Sequence, residues 1–359
     1  MSRIDIRKGM PDVQLTREEF SRRFRERFFD PAFAQNEGAL EEIITTAWDG
    51  YNVYRKNPLN SRAGADFAKP EATLPVEWLA TREKINAAEA HQKDSASPSR
   101  ILLINGSMRS DQSCPGEMSK TWRLLELAQG VVNASAGFET EILDLSLLTS
   151  QYGRTIHPCK ACVSTAQPLC HWPCSCYPNF AMGQVSDWMN EIYPMWAGAH
   201  GVMIITPVNW YQAPAGLKAM IDRLVCADGG NPDPTTTDGK NPKLAKELEM
   251  NGWGFPRHLA GRAFSVVVHG DAAGVENLRR ILTDWLEDIG LIASGHKSHI
   301  GAYIGYLRPY AESHADLDDD KDIQADVKTA AQALVNAVTQ LRAGKLTPPD
   351  ADLHEARPK

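Results

Sequence analysis

The cysteines of this 359-residue chain are concentrated in one short segment. Five of the seven follow the spacing C-x2-C-x7-C-x3-C-x-C, and they are Cys159, Cys162, Cys170, Cys174 and Cys176. The other two, Cys114 and Cys226, stand apart from this segment. Disulfide frameworks distribute cysteines through a chain, so this clustering favours metal or cluster ligation, or thiol redox chemistry, over structural bridges.

A second group of reactive side chains follows the apolar run at residues 100–105, RILLIN, which predicts a buried strand. The next residues begin with Gly106 and Ser107, and the polar stretch ends at a predicted helix start around Lys120 and Thr121. Hydroxyls, backbone N–H groups and two cations would converge there, which suits a phosphate at a helix N-terminus. The loop matches neither the Walker pattern nor G-x-G-x-x-G, so ATP or a dinucleotide is not favoured.

The segments that must position these groups alternate between strands and helices. Predicted strands lie at residues 100–105, 139–145, 201–206 and 263–269, with a last strand between residues 291 and 304. Helical apolar spacing separates them, and a closing helix covers about residues 327–341. The pattern predicts an α/β fold, a doubly wound parallel sheet of five strands between two helical layers. Ligands of such sheets bind in the loops after strands one, three and four.

Three further segments are predicted outside this sheet. Residues 1–98 form a helical extension and linker, in which Thr16 and Glu19 make a capping box and the helices pack on their own chain or on a second subunit. Residues 229–260 are a polar insertion, and residues 346–359 are a polar tail. The acidic run at residues 316–322 is predicted to be a solvated loop before the last helix.

The overall charge and hydropathy exclude several functional classes. A formal net charge of −7 offers no general attraction to nucleic acid or anionic lipid. The N-terminus lacks a secretory apolar core, and no long apolar stretch predicts a membrane span. We therefore expect a cytoplasmic protein whose partners are small molecules.

Three motifs together resemble those of the flavodoxin-like NAD(P)H-dependent FMN reductases and the related iron-sulfur flavoproteins. Residues 106–109, GSMR, resemble the family's phosphate loop, and residues 206–211, TPVNWY, resemble the segment that lies along the flavin. Residues 216–223, GLKAMIDR, are similar to the signature that follows that segment. The resemblance covers roughly residues 100–345 and implies a flavodoxin-like FMN-binding domain at residues 99–345.

This resemblance implies that the protein is an FMN-dependent oxidoreductase that binds FMN noncovalently. The FMN phosphate would contact Ser107, Arg109, Ser113, Lys120 and Thr121. The flavin ring would lie near Pro207, Asn209, Trp210 and Tyr211, and its far side near His269, Gly270 and Asp271. The flavin carries the chemistry, so no catalytic side chain is assigned. Electrons would pass from NAD(P)H to a quinone, nitro or azo compound, flavin or metal, in a homodimer or homotetramer.

Iron-sulfur flavoproteins carry a compact cysteine motif at the corresponding place and ligate a [4Fe-4S] cluster with it. The present spacing departs from theirs, because Thr165 occupies the position of the usual third cysteine. Three interpretations stay open for residues 157–179: a [4Fe-4S] cluster, tetrahedral zinc, or free thiols that include a redox pair. A cluster would make the chain a converter from hydride donors to one-electron acceptors.

Two alternatives to an enzyme also remain. One is an electron carrier in which FMN and a cluster serve partner proteins. The other is a flavin-free binding or regulatory protein in which the cysteines hold a structural metal.

Overall fold

The computed structural model describes residues 4–113 and 116–346. The predicted polar tail from residue 347 onward and Cys114 lie outside these residues. Within the described part of the chain, no helix combines the length and the apolar character needed to cross a bilayer.

Helices and strands alternate over most of the described chain. The helices are α1 (Arg17–Arg25), α2 (Glu37–Asn52), α3 (Val76–Lys93), α4 (Lys120–Asn133), α5 (Leu147–Ser150), α6 (Met189–Gly198), α7 (Ala215–Arg223), α8 (Pro242–Met250), α9 (Val275–Asp288), α10 (Ser313–Asp319) and α11 (Lys321–Arg342). The strands are β1 (Asn60–Arg62), β2 (Thr73–Pro75), β3 (Ser99–Asn105), β4 (Phe138–Asp144), β5 (Gly201–Pro207), β6 (Ala263–Gly270), β7 (Ile292–Ala293) and β8 (His299–Tyr303).

The main sheet has the strand order of a flavodoxin. Its order is β4-β3-β5-β6, and both β7 and β8 pair with the outer side of β6, all in parallel. The predicted doubly wound sheet is confirmed, but its fifth strand is split into two. The split comes at Gly295, whose φ is +97°, and at a short 3-10 turn that ends at Ser298. Ser265 Oγ donates to the Ser298 carbonyl at 2.7 Å and anchors this interruption to β6.

Helices cover both faces of the sheet, which gives the predicted three layers. Alternate residues of β3 face opposite sides, so Leu102 and Ile104 belong to one buried cluster and Ile101 and Leu103 to the other. Helices α6, α7 and α9 contribute to the first cluster, and α4 and α11 contribute to the second. The apolar side chains of a parallel sheet are thereby removed from water on both faces.

The N-terminal helices pack on their own chain. Thr16 accepts from the Glu19 amide at 3.2 Å, as the capping pattern predicts. The α3 side chain of Ile85 is fully buried in the same core as β3 and α6. A short antiparallel pair, β1 with β2, was not predicted, because the exposed residues of β1 carry no apolar alternation.

Candidate functional site

The carboxyl ends of β3, β5 and β6 surround a cavity of about 740 Å³. A volume of this size is typical of a site for an organic cofactor. Ten of the twelve residues predicted to contact FMN line it, and they are Ser107, Arg109, Ser113, Lys120, Thr121, Pro207, Asn209, His269, Gly270 and Asp271. The remaining two, Trp210 and Tyr211, lie outside the lining.

The loop after β3 is shaped by its own side chains. The Gly106 amide donates to the Ile205 carbonyl at 2.8 Å and continues the sheet pairing into the loop. The Ser107 amide then donates to Asn105 Oδ1 at 3.1 Å, and the Arg109 amide donates to Ser107 Oγ at 3.1 Å. These local bonds bend the backbone sharply at the strand end. Residues of this loop, including Ser107 and Arg109, line the cavity.

The positive end of α4 points at the same loop. Ser119 caps this helix by accepting from the Trp122 amide at 3.1 Å, so the first-turn amides lie at the cavity wall. Lys120 is the first residue of α4; burial lowers the pKa of its ammonium, and the nearby Asp271 carboxylate opposes that effect. The other cation, Arg109, pairs with Glu117 at 2.9 Å. Two cations and a helix N-terminus give this end of the cavity affinity for a dianion.

A buried histidine connects the two sides of the cavity. His269 at the end of β6 is hydrogen-bonded through Nε2 to Thr121 Oγ1 at 2.8 Å. Burial, with a smaller contribution from Lys120, lowers the pKa of His269 to about 3. The imidazole is therefore neutral at physiological pH and orients the Thr121 hydroxyl without adding charge.

The neutral His269 should make the protein acid-sensitive. An unfolded histidine has a pKa of about 6.5, so between pH 6.5 and 3 the unfolded chain binds a proton that the folded chain excludes. Stability is therefore lost as the pH falls below 6.5, and this residue alone should lower the free energy of unfolding by about 2 kcal/mol between pH 7 and pH 5. Urea unfolding at several pH values measures the slope.

The matched variants for this measurement are His269→Gln and His296→Gln, the second on an exposed histidine. The first should flatten the pH dependence by about 1.4 kcal/mol per unit below pH 6, and the second should leave it close to the parent. An unchanged slope in His269→Gln would show that this imidazole accepts a proton in the folded protein.

Trp210 and Tyr211 form an exposed turn beside the cavity. The Asn209 and Gln212 amides each donate to the other's carbonyl, at 2.9 and 3.0 Å, and both intervening residues have positive φ values of +47° and +66°. Such turns ordinarily contain Asn or Gly, so two bulky aromatic residues are strained here. Trp210 is 95% exposed and Tyr211 is 59% exposed.

The same side of the cavity carries further exposed apolar residues. We call this surface the apolar rim, and it comprises Trp210, Tyr211, Tyr306, Leu307 and Tyr310. Tyr211 packs against Gly274, and the Leu307 amide donates to the Asp271 carbonyl at 2.9 Å, so both segments border the loop after β6. Isolated exposed apolar residues are ordinary, but several exposed apolar residues near one cavity are typical of a contact surface. The predicted homodimer or homotetramer stays a prediction.

Part of the cavity wall was missed by sequence reasoning. Thr149 from the end of α5, and Tyr310, Ser313 and His314 from the segment after β8, also line the cavity. The last segment carries no glycine-rich or signature pattern that would have indicated a ligand. The predicted acidic loop at residues 316–322 is wrong, because α10 and α11 occupy it and Asp320 caps α11 by accepting from the Ile323 amide.

The cysteine segment forms a second site, in which a sixth cysteine takes part. Cys162 Sγ and Cys176 Sγ lie 3.3 Å apart. Cys226, which follows α7, is buried, and it is near enough to Cys174 and Cys159 for their charges to affect its pKa. Sequence reasoning missed Cys226 because it lies 50 positions after Cys176. The one local indication in the sequence is that Cys226 lies about one helical turn after Arg223, the last residue of the GLKAMIDR motif.

Three cations surround these thiols. Lys240 Nζ lies 3.5 Å from Cys162 Sγ, and Lys56 donates to the Ser175 carbonyl. Burial lowers the pKa of Lys56. Burial alone would also lower the pKa of Lys240, but the charges of the nearby cysteines, with Cys176 and Cys162 contributing most, together outweigh burial and raise it. The third cation, Arg223, is buried in an ion pair with Asp187 and donates to the His157 carbonyl at 3.0 Å.

The cysteine segment is enclosed by the two additions to the sheet domain. Lys56 comes from the N-terminal extension, and its backbone carbonyl accepts from the Phe180 amide at 2.9 Å. Lys240 comes from the insertion, where Asn231 exchanges backbone bonds with the segment and Thr237 meets His171 at 3.1 Å. The predicted insertion thus covers the cysteines.

The thiols differ in their acidity. The hydrogen bond from Cys176, together with the Lys240 ammonium, lowers the pKa of Cys162 to about 6 against the effect of burial. Burial and the neighbouring sulfurs raise the pKa of Cys170, and the contact with Cys176 and burial raise that of Cys174. Burial likewise raises the pKa of Cys226. Cys162 is therefore the most acidic of these four thiols.

The described residues contain no group of three or more histidine, cysteine or carboxylate side chains arranged to hold a metal ion. The contact between Cys162 and Cys176 is also shorter than the roughly 3.8 Å that separates thiolates around tetrahedral zinc. Five predicted ligands, Cys159, Cys162, Cys170, Cys174 and Cys176, are brought into one region. Among them, Cys162 and Cys176 are in direct contact through their sulfur atoms.

Comparisons with known proteins agree with these observations. The sequence pattern of the family described as NADPH-dependent FMN reductase matches residues 99–287. A protein named iron-sulfur flavoprotein from Methanosarcina thermophila is 28% identical over 203 residues, which cover 56% of this chain and 80% of that protein.

Two solved structures are similar at low identity. RosB with a bound 8-demethyl-8-formylriboflavin-5'-phosphate intermediate gives a TM-score of 0.48 at 14% identity, over 73% of this chain and 91% of that one. An azoreductase from Bacillus anthracis gives a TM-score of 0.36 at 13% identity, over 66% of this chain and 99% of that one.

Proposed function

Because this chain belongs to the NADPH-dependent FMN reductase family, we propose that it oxidises a reduced nicotinamide at an FMN held in the cavity and passes the electrons to a small acceptor. The observation that carries the proposal is the placement of ten predicted FMN-contacting residues around one cavity at the carboxyl edge of the sheet. The strand order reverses there, between β3 and β5, which is where open α/β sheets bind ligands.

The residues at this edge fit the phosphate of FMN. Ser107 and Thr121 would supply hydroxyls, and Arg109 and Lys120 would supply positive charge beside the α4 N-terminus. Lys120 has no carboxylate within ion-pair distance among the described residues. Because burial of an unpaired ammonium is unfavourable, a phosphate bound in the cavity would stabilise it as a counterion. Charge-assisted bonds of this kind contribute about 1.5 to 3 kcal/mol each.

The other end of the cavity fits a planar ring. Pro207, Val208 and Asn209 approach from β5, and Gly270 and Asp271 approach from β6. Bound FMN would accept a hydride and release electrons, so the protein needs no acid-base residue of its own for that exchange. The chain's contribution is to hold the ring between these segments. Trp210 and Tyr211 remain proposed ring contacts.

The apolar rim supports a planar aromatic acceptor. Among the predicted acceptors, quinones and nitro or azo compounds could pack on Trp210 or Tyr310, whereas a hydrated metal ion could not. We therefore propose that the acceptor is an aromatic compound such as a quinone or a nitro or azo compound. The cysteines enter no step of it, because none of the residues that line the cavity is a cysteine.

Anaerobic reduction tests the proposed function. Protein saturated with FMN should lose its visible flavin absorbance on addition of NADPH or NADH, and an added quinone should restore it. Riboflavin should bind at least about tenfold more weakly than FMN, because it lacks the dianion that Lys120 and Arg109 would contact. Failure of both nicotinamides to bleach FMN would favour an electron carrier. Equal affinity for riboflavin and FMN would contradict the proposal that Lys120 and Arg109 bind the FMN phosphate.

A further inference from the structure

The cysteine segment contains one pair of thiols that is poised to form a bond. Cys162 Sγ and Cys176 Sγ are 3.3 Å apart, and a disulfide requires about 2.05 Å. An approach of about 1.3 Å would therefore join them. The C-x-x-C spacing would pair Cys162 with Cys159, but Cys159 Sγ instead accepts from the Ala161 amide at 3.3 Å. The fold thus places Cys162 in contact with Cys176, which lies 14 positions away in the sequence.

The two thiols of this pair are not equivalent. Cys162 is partly exposed and has the Lys240 ammonium at 3.5 Å, whereas Cys176 is 7% exposed. Among the described residues, Lys240 has no carboxylate within ion-pair distance, and its other partner is the Leu169 carbonyl. A cation held beside a sulfur stabilises the thiolate, which is the nucleophilic form. Cys162 therefore has the attributes of an attacking thiol and Cys176 those of a resolving thiol.

The surroundings indicate what this thiol would attack. Lys240, Lys56 and the exposed Lys160 make the region positive, and Cys162 is only partly exposed. The insertion and the N-terminal extension both contact the segment beside this thiol, which favours a small partner over a protein. A small disulfide that carries carboxylates satisfies both the charge and the limited access.

We propose that Cys162 and Cys176 form a redox-active dithiol that reduces small anionic disulfides. The Cys162 thiolate attacks one sulfur of the disulfide, which forms a mixed disulfide and expels the other half as a thiolate. Cys176 then attacks Cys162 Sγ, its proton passes to the departing group, and the second half leaves. One dithiol thereby becomes one disulfide, one external disulfide becomes two thiols, and two electrons are transferred.

Glutathione disulfide is the probe for this proposal. Reduced, desalted FMN-loaded protein should release about two glutathiones per chain and acquire a bond between Cys162 and Cys176. Proteolysis after both Lys160 and Leu169 separates Cys162 from the other cysteines of the segment, so tandem mass spectrometry can identify its partner. A bond from Cys162 to any other cysteine would overturn the pairing.

Single substitutions assign the two roles. Cys176→Ser should release about one glutathione and retain the other on Cys162, whereas Cys162→Ser should release none. Cys159→Ser is the matched control in the same segment and should behave like the parent. Loss of the reaction in Cys159→Ser, with the reaction retained in Cys162→Ser, would contradict the proposal. Flavin content and far-ultraviolet circular dichroism confirm that each variant is folded.

Metal analysis of the same samples provides an independent readout. Anaerobically purified parent protein should contain neither zinc nor iron with inorganic sulfide in amounts comparable to the chain. Stoichiometric metal that is lost in Cys162→Ser and Cys176→Ser would overturn the dithiol and establish ligation. Because neither thiol lines the flavin cavity, failure of this proposal leaves the FMN-dependent function untouched.

Discussion

Replacing Gly106 by alanine is expected to weaken FMN binding at least about tenfold while the chain remains folded. A Cβ at this position would lie 2.7 Å from both Cβ and Oγ1 of Thr206, and 3.0 Å from Leu217 Cδ2. Thr206 is fully buried in β5, so it cannot move aside easily. The loop after β3 must shift instead, and overpacking of this kind costs about 1 to 3 kcal/mol. Calorimetric titration with FMN measures the loss.

The matched control is Gly130→Ala in α4. No atom lies within 4 Å of its added Cβ, and alanine in a helix interior is more stable than glycine by about 0.5 to 1 kcal/mol. This control should bind FMN as the parent does. Parent-like affinity in Gly106→Ala would mean that the loop tolerates displacement and that the phosphate site lies elsewhere.

Replacing Arg223 by methionine is expected to destabilise the protein by about 3 to 5 kcal/mol. The side chains of Arg223 and Asp187 are 1% and 0% exposed, and their ion pair is bidentate. Removal of the guanidinium leaves the Asp187 carboxylate buried without a partner and also removes the bond to the His157 carbonyl. The cysteine segment should therefore loosen together with the N-terminus of α6. Denaturant unfolding at neutral pH measures the change.

Lys218→Met is the control in the same helix. Its ion pair with Asp222 is about half exposed, and such pairs contribute about 0 to 1 kcal/mol. The double variant Arg223→Met, Asp187→Leu should recover part of the loss, because it removes the stranded charge. Equal stability of the Arg223 and Lys218 variants would contradict a structural role for the buried pair.

The amino-acid sequence by itself determined the sheet and most of the candidate flavin site. Runs such as RILLIN are typical of strands buried on both faces of a parallel sheet, and the connections between them are long enough to be helices. Because the carboxyl ends of parallel strands share one edge, the loops after three strands had to meet there. Ser107, Asn209 and His269 were therefore predictable as neighbours although they are far apart in sequence.

The exceptions within that site come from backbone geometry. Trp210 and Tyr211 lie outside the cavity lining because a two-residue turn with positive φ values directs them outward, and no pattern of residue types predicts such a turn from aromatic residues. Tyr310 and His314 reach the cavity because the split strand and the helix after it bring their segment back. Their position depends on long-range packing.

The cysteine pairing was decided by tertiary structure alone. Spacing favours Cys159 with Cys162, but the extension that carries Lys56 and the insertion that carries Lys240 enclose the segment from two distant parts of the chain. Packing between them places Cys176 against Cys162. Side-chain contacts between such distant segments depend on the summed packing of the whole fold, whereas strands and loop positions follow from local apolar pattern and sheet direction.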